Sequence, residues 1–411
     1  MHESIDVTEK GGRRGRRRGM YALLCAVAIG AVGEAMMVVA VPWFVLRTTG
    51  SVARTGLIVA VVAVGVAVAG FAAGPLVDRW GFKVMAVASY LVGGTAAALI
   101  PLCYASGRLG FPALVALVLA ASLLDMPGAA AVTGLVPGLA EAARMPLERA
   151  NALLGGVYQT AQLCGPPLGG GAAALLGTEG VLLIDAGACG LAAVVIACCV
   201  AAPARSTRSG SAESYLAGLR AGLRTLRRHR LLRTLTASSA AFNALDSGIS
   251  GVVLVTYAYQ HLGSAAGLGV LLTAFGLGTV AGTLGFAAVG HRFGRREVYL
   301  RSSLLAGLLL LPLAALPPLP AGAALLAVLG AVAAPVGPIR TAALQRHVQE
   351  EQYGRVTAAV DTVAMTAVPL GASAAVALVG GVGLAWTILL IAAAYLLVVA
   401  CCWAAPGLRG I

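Results

Sequence analysis

The chain has 411 residues, of which 59% are hydrophobic and 11% charged, with a formal net charge of +13 at pH 7. Soluble domains usually carry about 25% charged residues, so this composition excludes an ordinary soluble fold. A helix of roughly 20 apolar residues crosses a bilayer, and the chain is long enough for about twelve such spans.

Five arginines lie close together near the N-terminus, at positions 13, 14, 16, 17 and 18. Such a cluster occurs in nucleic-acid-binding arms, but here it stands directly before an apolar stretch, where Lys and Arg set the orientation of a membrane helix. That stretch, residues 20–46, is too long for the apolar region of a signal peptide. We therefore predict a retained first span in a lipid bilayer and no nucleic-acid partner.

Apolar runs that are broken by charge or by Gly and Pro clusters predict two sets of six spans. The first set covers residues 20–46, 54–77, 84–106, 111–136, 149–175 and 179–202. The second set covers residues 232–257, 265–289, 298–316, 321–343, 355–378 and 382–403. Because backbone polar groups in lipid must be satisfied within the segment, the spans are predicted to be helices, and the fold class is an all-α membrane protein.

The spans divide the chain into five predicted regions. These are an N-terminal tail (1–19), an N-terminal six-helix bundle (20–202), a linker (203–231), a C-terminal six-helix bundle (232–404) and a C-terminal tail (405–411). Within the linker, residues 218–230 have the pattern of an amphipathic helix that lies along the membrane surface.

The distribution of positive charge predicts the topology. Of the 29 Lys and Arg residues, only Arg47, Arg54 and Arg108 fall in loops on the face opposite to the termini. Since cytoplasmic loops are enriched in Lys and Arg, both termini and the linker are predicted to be cytoplasmic, in a multi-pass protein of the cell membrane.

Sequence motifs for other chemistry are absent. The eight cysteines lie in apolar segments without metal-ligand or disulfide spacing. The chain has no phosphate-binding loop, no His-Glu-x-x-His run and no Gly-x-Ser-x-Gly run. We expect no cofactor, no metal and no enzymatic activity.

Three acidic residues lie near the middle of predicted spans: Glu34, Asp125 and Asp246. An ionisable residue at that depth is costly and is a functional hypothesis by default. A carboxyl group there can exchange a proton for a cationic substrate, or it can stay neutral and hydrogen-bond between helices. Asp185 and Asp361, nearer the ends of their spans, are expected to be structural.

Polar side chains on the fifth span form a second candidate group: Tyr158, Gln159 and Gln162. Tyr158 and Gln162 are one helical turn apart on one face. They could hydrogen-bond a substrate or join neighbouring helices.

The loop after the second span carries a specific motif. It reads Gly74-Pro-Leu-Val-Asp78-Arg79-Trp-Gly81-Phe-Lys83 and resembles the loop signature of the major facilitator superfamily. The resemblance implies a charged latch that favours one of two alternating-access states. Phe82 departs from the signature, in which a basic residue is usual at that position.

The fifth span carries a second motif. Its run Gly165-Pro166-Pro167-Leu168-Gly169-Gly170 resembles a motif of the exporting, proton-antiporting branches of the same superfamily. Pro166 removes a backbone donor, and the glycines permit close packing, so the segment is expected to act as a hinge.

The resemblance covers nearly the whole chain, which looks like the exporter subgroup of siderophore, macrolide and multidrug efflux proteins. It implies the major facilitator fold of two pseudo-symmetric bundles, in which helices 1, 4, 7 and 10 line a cavity. These helices carry Glu34, Asp125, Asp246 and Arg340, and Arg340 is a possible countercharge.

The resulting hypothesis is a monomeric proton-coupled exporter of a cationic or neutral lipophilic small molecule. The alternatives are a nutrient uptake permease of the same fold and a membrane sensor or enzyme without transport.

Overall fold

The computed structural model describes residues 3–200, 212–289, 292–348 and 350–410, which contain helices and no strand. We number thirteen helices among them. They are α1 (Glu3–Thr49), α2 (Val52–Trp80), α3 (Phe82–Ala105), α4 (Phe111–Ala142), α5 (147–176), α6 (178–199), α7 (Ala212–Arg228), α8 (Arg230–Leu262), α9 (Ala265–Val289), α10 (Arg295–Leu313), α11 (Leu319–His347), α12 (Glu350–Val382) and α13 (Leu384–Ala404). Each predicted span coincides with one of these helices over most of its length, and residues 201 and 202 of the sixth predicted span lie outside the described residues.

In the described residues, ten helical segments are long and apolar enough to cross a membrane. One of them, Leu147–Cys199, contains both α5 and α6, because Gly177 has a non-helical backbone between them. The short helix α10 does not meet this criterion, since Arg295, Arg296, Glu297 and Arg301 occupy its first two turns. We assign its apolar remainder to the predicted ninth span.

Three helix junctions consist of a single glycine with nearly the same backbone conformation. Gly81 (φ 81°, ψ 156°) joins α2 to α3, Gly177 (φ 76°, ψ 167°) joins α5 to α6, and Gly383 (φ 85°, ψ 169°) joins α12 to α13. Only glycine adopts this region at low cost. The second and third junctions occupy equivalent places in the two sets of six spans, so they record the internal repeat in backbone geometry.

Two helices depart from regular geometry. Helix α11 is interrupted between Ala333 and Val336, where Pro335 stands, because proline lacks the N–H that an inner turn needs. Helix α8 contains π-helical turns at Ile249–Val253 and Ala258–Leu262, which widen the helix and are common near functional sites.

The linker forms the predicted amphipathic helix, α7, but part of its apolar face rests on protein. Leu223 and Leu226 pack in a cluster with Leu344 of α11 and with Val356 and Val360 of α12. The prediction that this face lies on the membrane is therefore wrong for these two side chains. A pattern of apolar residues indicates what a helix avoids, namely water, and does not specify what covers it.

The described chain divides into two compact units. Unit 1 comprises the described residues of Met1–Val38, Val68–Gly165 and Glu179–Tyr215. Unit 2 comprises those of Val39–Ala67, Pro166–Thr178 and Leu216–Ile411. The later parts of α1 and α5 and the first part of α2 therefore pack with α8 to α13, inside unit 2.

Glycines bring helix backbones into direct contact in unit 2. A Cβ at Gly371 of α12 would overlap the backbone carbonyl of Ala244 of α8, and a Cβ at Gly330 of α11 would overlap that of Phe275 of α9. Packing through small residues is the main source of helix association in lipid, where apolar surface alone gives no driving force.

The junction at Gly383 generates the first prediction. Gly383→Ala places a Cβ in a backbone region that is essentially restricted to glycine, and we expect it to cost about 1–3 kcal/mol of stability. The measurement is the midpoint of thermal unfolding of the purified full chain in detergent.

Gly380→Ala is the matched control, because this glycine lies one turn earlier, has no positive φ and has open space around its Cβ position. Alanine there should leave the midpoint unchanged or raise it, since alanine is the better helix former. Equal midpoints for the two variants would contradict the assigned junction geometry.

Candidate functional site

Unit 1 contains a cluster of acidic side chains around Glu34 of α1. Glu34 interacts electrostatically with Asp125 of α4 and with Asp185 of α6. Its side chain is exposed, and that of Asp125 is half-buried.

Asp185, which the sequence places near a span end, belongs to this cluster. It is 6% exposed, and its Oδ1 lies where a Cβ at Gly33 of α1 would project. The Cys189 Sγ, one turn along α6, lies 3.8 Å from the same oxygen. The missing side chain at Gly33 thus lets an α6 carboxyl group reach the α1 backbone next to Glu34.

Two tyrosines complete the surroundings of Glu34. Tyr158 of α5, a predicted site residue, and Tyr90 of α3 each interact electrostatically with Glu34 and Asp125. Tyr90 packs against Gly30 of α1, where its ring occupies the space of a Cβ. Sequence reasoning missed Tyr90, and the available signal was the spacing of Gly30 and Gly33 one turn apart on the face beside Glu34.

The predicted hinge of α5 begins at this cluster. A Cβ at Gly165 would overlap Ala35, the residue that follows Glu34, so α5 touches the α1 backbone there. The chain passes from unit 1 to unit 2 between Gly165 and Pro166. Gln159 and Gln162, earlier on the same helix, have exposed side chains.

After the hinge, α5 contacts α9 inside unit 2. A Cβ at Gly269 would lie 2.6 Å from the carbonyl oxygen of Pro166, and one at Gly170 would lie 3.0 Å from the Gly269 Cα. Gly169 is buried in the same segment. Nearby in unit 2, Trp43 of α1 and Tyr259 of α8 form an edge-to-face pair with ring centroids 5.7 Å apart.

Unit 2 contains its own mid-span acid. The side chain of Asp246 on α8 is exposed and interacts electrostatically with Tyr395 of α13. The Tyr395 ring packs on Phe242, one turn before Asp246, with centroids 4.7 Å apart. Ser247 Oγ donates a hydrogen bond of 2.8 Å to the Val368 carbonyl of α12, which fixes the rotation of α8 at this level.

Arg340 of α11 has its described electrostatic partners inside unit 2. It interacts with Asp361 of α12 and with Tyr299 of α10, and its Nε is buried without a hydrogen-bond partner. The Tyr299 hydroxyl is 2.9 Å from Ser238 Oγ. The predicted role of Arg340 as countercharge to Glu34 and Asp125 stays a prediction.

The predicted latch lies at the junction of α2 and α3. Gly74 falls in α2, Asp78 and Arg79 are exposed in its last turn, and Lys83 is half-buried at the start of α3. Phe82, the departure from the signature, packs against Gly134 of α4, where its ring occupies the space of a Cβ. An aromatic side chain thus anchors α3 to α4 at a position where a basic residue is usual.

Comparisons with known proteins agree with the resemblance seen in the sequence. The model of the Major Facilitator Superfamily matches residues 23–245 and again 236–407. The multidrug efflux pump Tap of Mycobacterium tuberculosis is 29% identical over 384 residues, which cover 92% of this chain and 91% of that protein. Tap of Mycolicibacterium fortuitum is 28% identical over 379 residues, with coverages of 91% and 92%.

Solved structures of transporters share the fold. The nucleoside transporter NupG superposes with a TM-score of 0.74 at 14% identity. The alignment covers 94% of this chain and 98% of the NupG chain. A bacterial homologue of the human lysosomal transporter Spinster gives a TM-score of 0.71 at 13% identity, with coverages of 96% and 97%.

The contact between Gly33 and Asp185 generates the second prediction. Gly33→Ala should lower stability by about 1–3 kcal/mol, because the added methyl group overpacks the contact with the carboxylate. Asp185→Ala in the same chain removes the overlapping atoms, so the double variant should recover most of that loss. The measurement is a double-mutant cycle on thermal unfolding midpoints.

Gly187→Ala, on α6 with open space at its Cβ position, is the control and should be close to neutral. Strictly additive effects of Gly33→Ala and Asp185→Ala would contradict the contact.

Proposed function

Because this chain belongs to the major facilitator superfamily, we propose that it exports lipophilic cationic or neutral small molecules, including drugs, in exchange for protons. The cluster of Glu34, Asp125 and Asp185 is the observation that carries the proposal. The similarity of this chain to Tap, a multidrug efflux pump, over nine-tenths of both chains supports export as the direction of transport and drugs as the substrate class.

Glu34 is the proposed proton site. The groups with a described electrostatic interaction with Glu34 are acids, phenols and a thiol. Acids that share one site cannot all ionise without mutual repulsion, and the burial of Asp185 adds a further cost. Binding either a proton or a cation relieves that repulsion, so the two compete, which is the requirement for antiport.

Polar side chains of α5 in the same unit, the half-buried Tyr158 and the exposed Gln159 and Gln162, are the proposed substrate contacts. Tyr158 combines an apolar ring with a hydroxyl group, and Gln159 and Gln162 can donate or accept hydrogen bonds. In unit 2, Asp246 beside the Tyr395 ring offers a second combination of a carboxylate and an aromatic side chain. Such mixed surfaces bind lipophilic cations without demanding one substrate shape.

The hinge and the latch are proposed to change state during alternating access. Contacts of glycine backbones, as at Gly170 and Gly269, can separate without rearranging interlocked side chains. Asp78, Arg79 and Lys83, with Gly74 and Gly81, are proposed to stabilise one state from the junction of α2 and α3. We further propose that the chain consists of two tails, two six-helix bundles and a linker, with the boundaries predicted from the sequence. The protein is proposed to be a monomer in the cell membrane, with both termini in the cytoplasm.

Proton coupling gives the third prediction. Glu34→Gln keeps the size of the side chain and removes its ability to release a proton, so substrate-linked proton movement should fall at least about tenfold. The assay follows internal pH in proteoliposomes after addition of a lipophilic cation.

Glu141→Gln is the matched control, because Glu141 is exposed at the end of α4, and it should behave like the parent chain. Undiminished coupling in Glu34→Gln would remove this residue from the proton path.

The direction of transport gives the fourth prediction. Expression in a host that lacks its own drug pumps should raise resistance to lipophilic cationic drugs, and a proton gradient should drive their accumulation in inside-out vesicles. A functional export cycle should raise the inhibitory concentration several-fold over that of the host without the chain. Gradient-driven accumulation in right-side-out vesicles alone would indicate the uptake permease instead.

A further inference from the structure

A groove on the surface of unit 2 has no part in the proposed transport cycle. It lies between α9 and α10, has a volume of about 330 Å³ and reaches Pro335 of α11. Phe286 of α9 and Phe293 and Val298 near the start of α10 form apolar walls. Helices α9 and α10 each pack on α11 and make little direct contact with each other, which leaves the groove open along their length.

The depth of the groove depends on glycine. A Cβ at Gly282 would overlap the Ala331 carbonyl group, so α9 lies directly on the backbone of α11 there. One turn later, Gly285 lines the groove and has open space at its Cβ position. The absence of a side chain at Gly285 therefore leaves a volume that another molecule can fill.

The charged side chains that line the groove, Glu297 and Arg301, belong to the first two turns of α10. Arg301 and Glu297 form an ion pair of 2.5 Å in the groove wall, with side chains 70% and 51% exposed. Arg292 is exposed just before α10. Farther along α10, Leu305 and Leu308 are exposed. The surface is thus cationic at the membrane boundary and apolar toward the membrane interior.

This arrangement matches the chemistry of a phospholipid. Exposed leucines on a spanning helix lie against acyl chains, and a guanidinium group has five N–H donors, of which the carboxylate of Glu297 engages only part. We propose that the groove binds an anionic phospholipid, with an acyl chain between α9 and α10 beside Gly285 and the phosphate group on Arg301. Basic pockets between helices at a membrane face are known to select anionic headgroups.

Lipid binding to the full chain in detergent tests the proposal without reference to transport. The thermal unfolding midpoint is measured against increasing phosphatidylglycerol, phosphatidylcholine or inorganic phosphate, and the concentration at half-maximal shift is compared. We expect phosphatidylglycerol to act at clearly lower concentration than phosphatidylcholine, and inorganic phosphate to have little effect.

Variants of Arg301 and of Gly285 address the charged wall on α10 and the glycine on α9 in turn. Arg301→Gln should raise the half-maximal concentration of phosphatidylglycerol about fivefold, the effect of one cationic group near a membrane surface. Gly285→Leu should weaken the binding of both lipids because the leucine side chain fills the groove, and Gly285→Ala should have an intermediate effect on binding. Arg301→Lys, which keeps the charge, should retain most of the preference for phosphatidylglycerol.

Gly380→Leu and Arg108→Gln are the matched controls, because Gly380 has open space at its Cβ position and Arg108 is an exposed loop arginine. Both should bind like the parent chain. Equal action of the two lipids on the parent chain, unchanged binding in Gly285→Leu, or a full shift with inorganic phosphate alone would overturn the proposal.

Discussion

The contact between the α1 backbone at Gly33 and the Asp185 carboxyl group is the interaction on which the acid cluster depends. A carboxyl group in a membrane span is tolerated only where protein or water surrounds it. Glycine at position 33 lets α6 bring Asp185 to the side of Glu34, and glycines at 30 and 165 admit Tyr90 and Ala35 in the same way. The geometry around Glu34 is therefore set largely by glycines, which leave room for the groups that surround this side chain.

The same principle organises unit 2. Gly371 against Ala244 holds α8 to α12 near Asp246, and Gly170 against Gly269 holds the end of α5 to α9. Dispersion contacts between close backbones are strong collectively and weak individually. Helices that meet in this way are rigid while in contact and can part without unlocking large side chains. That property suits the proposed alternation between two packed states.

Arginines and acids lie at different depths of the membrane in this chain, and both proposals depend on this division. Arginines concentrate in loops and at helix ends, as at Arg292 and Arg301, where they can meet phosphate groups. Acids with functional potential lie inside spans, at Glu34, Asp125 and Asp246. The bilayer imposes this division, because a charge is cheap at the interface and costly in the hydrocarbon core.

The sequence by itself determined the all-α membrane fold, the approximate place of the apolar spans along the chain and the identity of the mid-span acids Glu34, Asp125 and Asp246. These are local properties of apolar run length and of single charges, so no long-range information is required. Only the tertiary structure decided that Asp185 joins Glu34, that Arg340 neighbours Asp361 and that α7 rests on α11 and α12. Those facts depend on which helix faces meet, and in lipid that choice is made by small-residue contacts between distant parts of the chain, which hydropathy does not record.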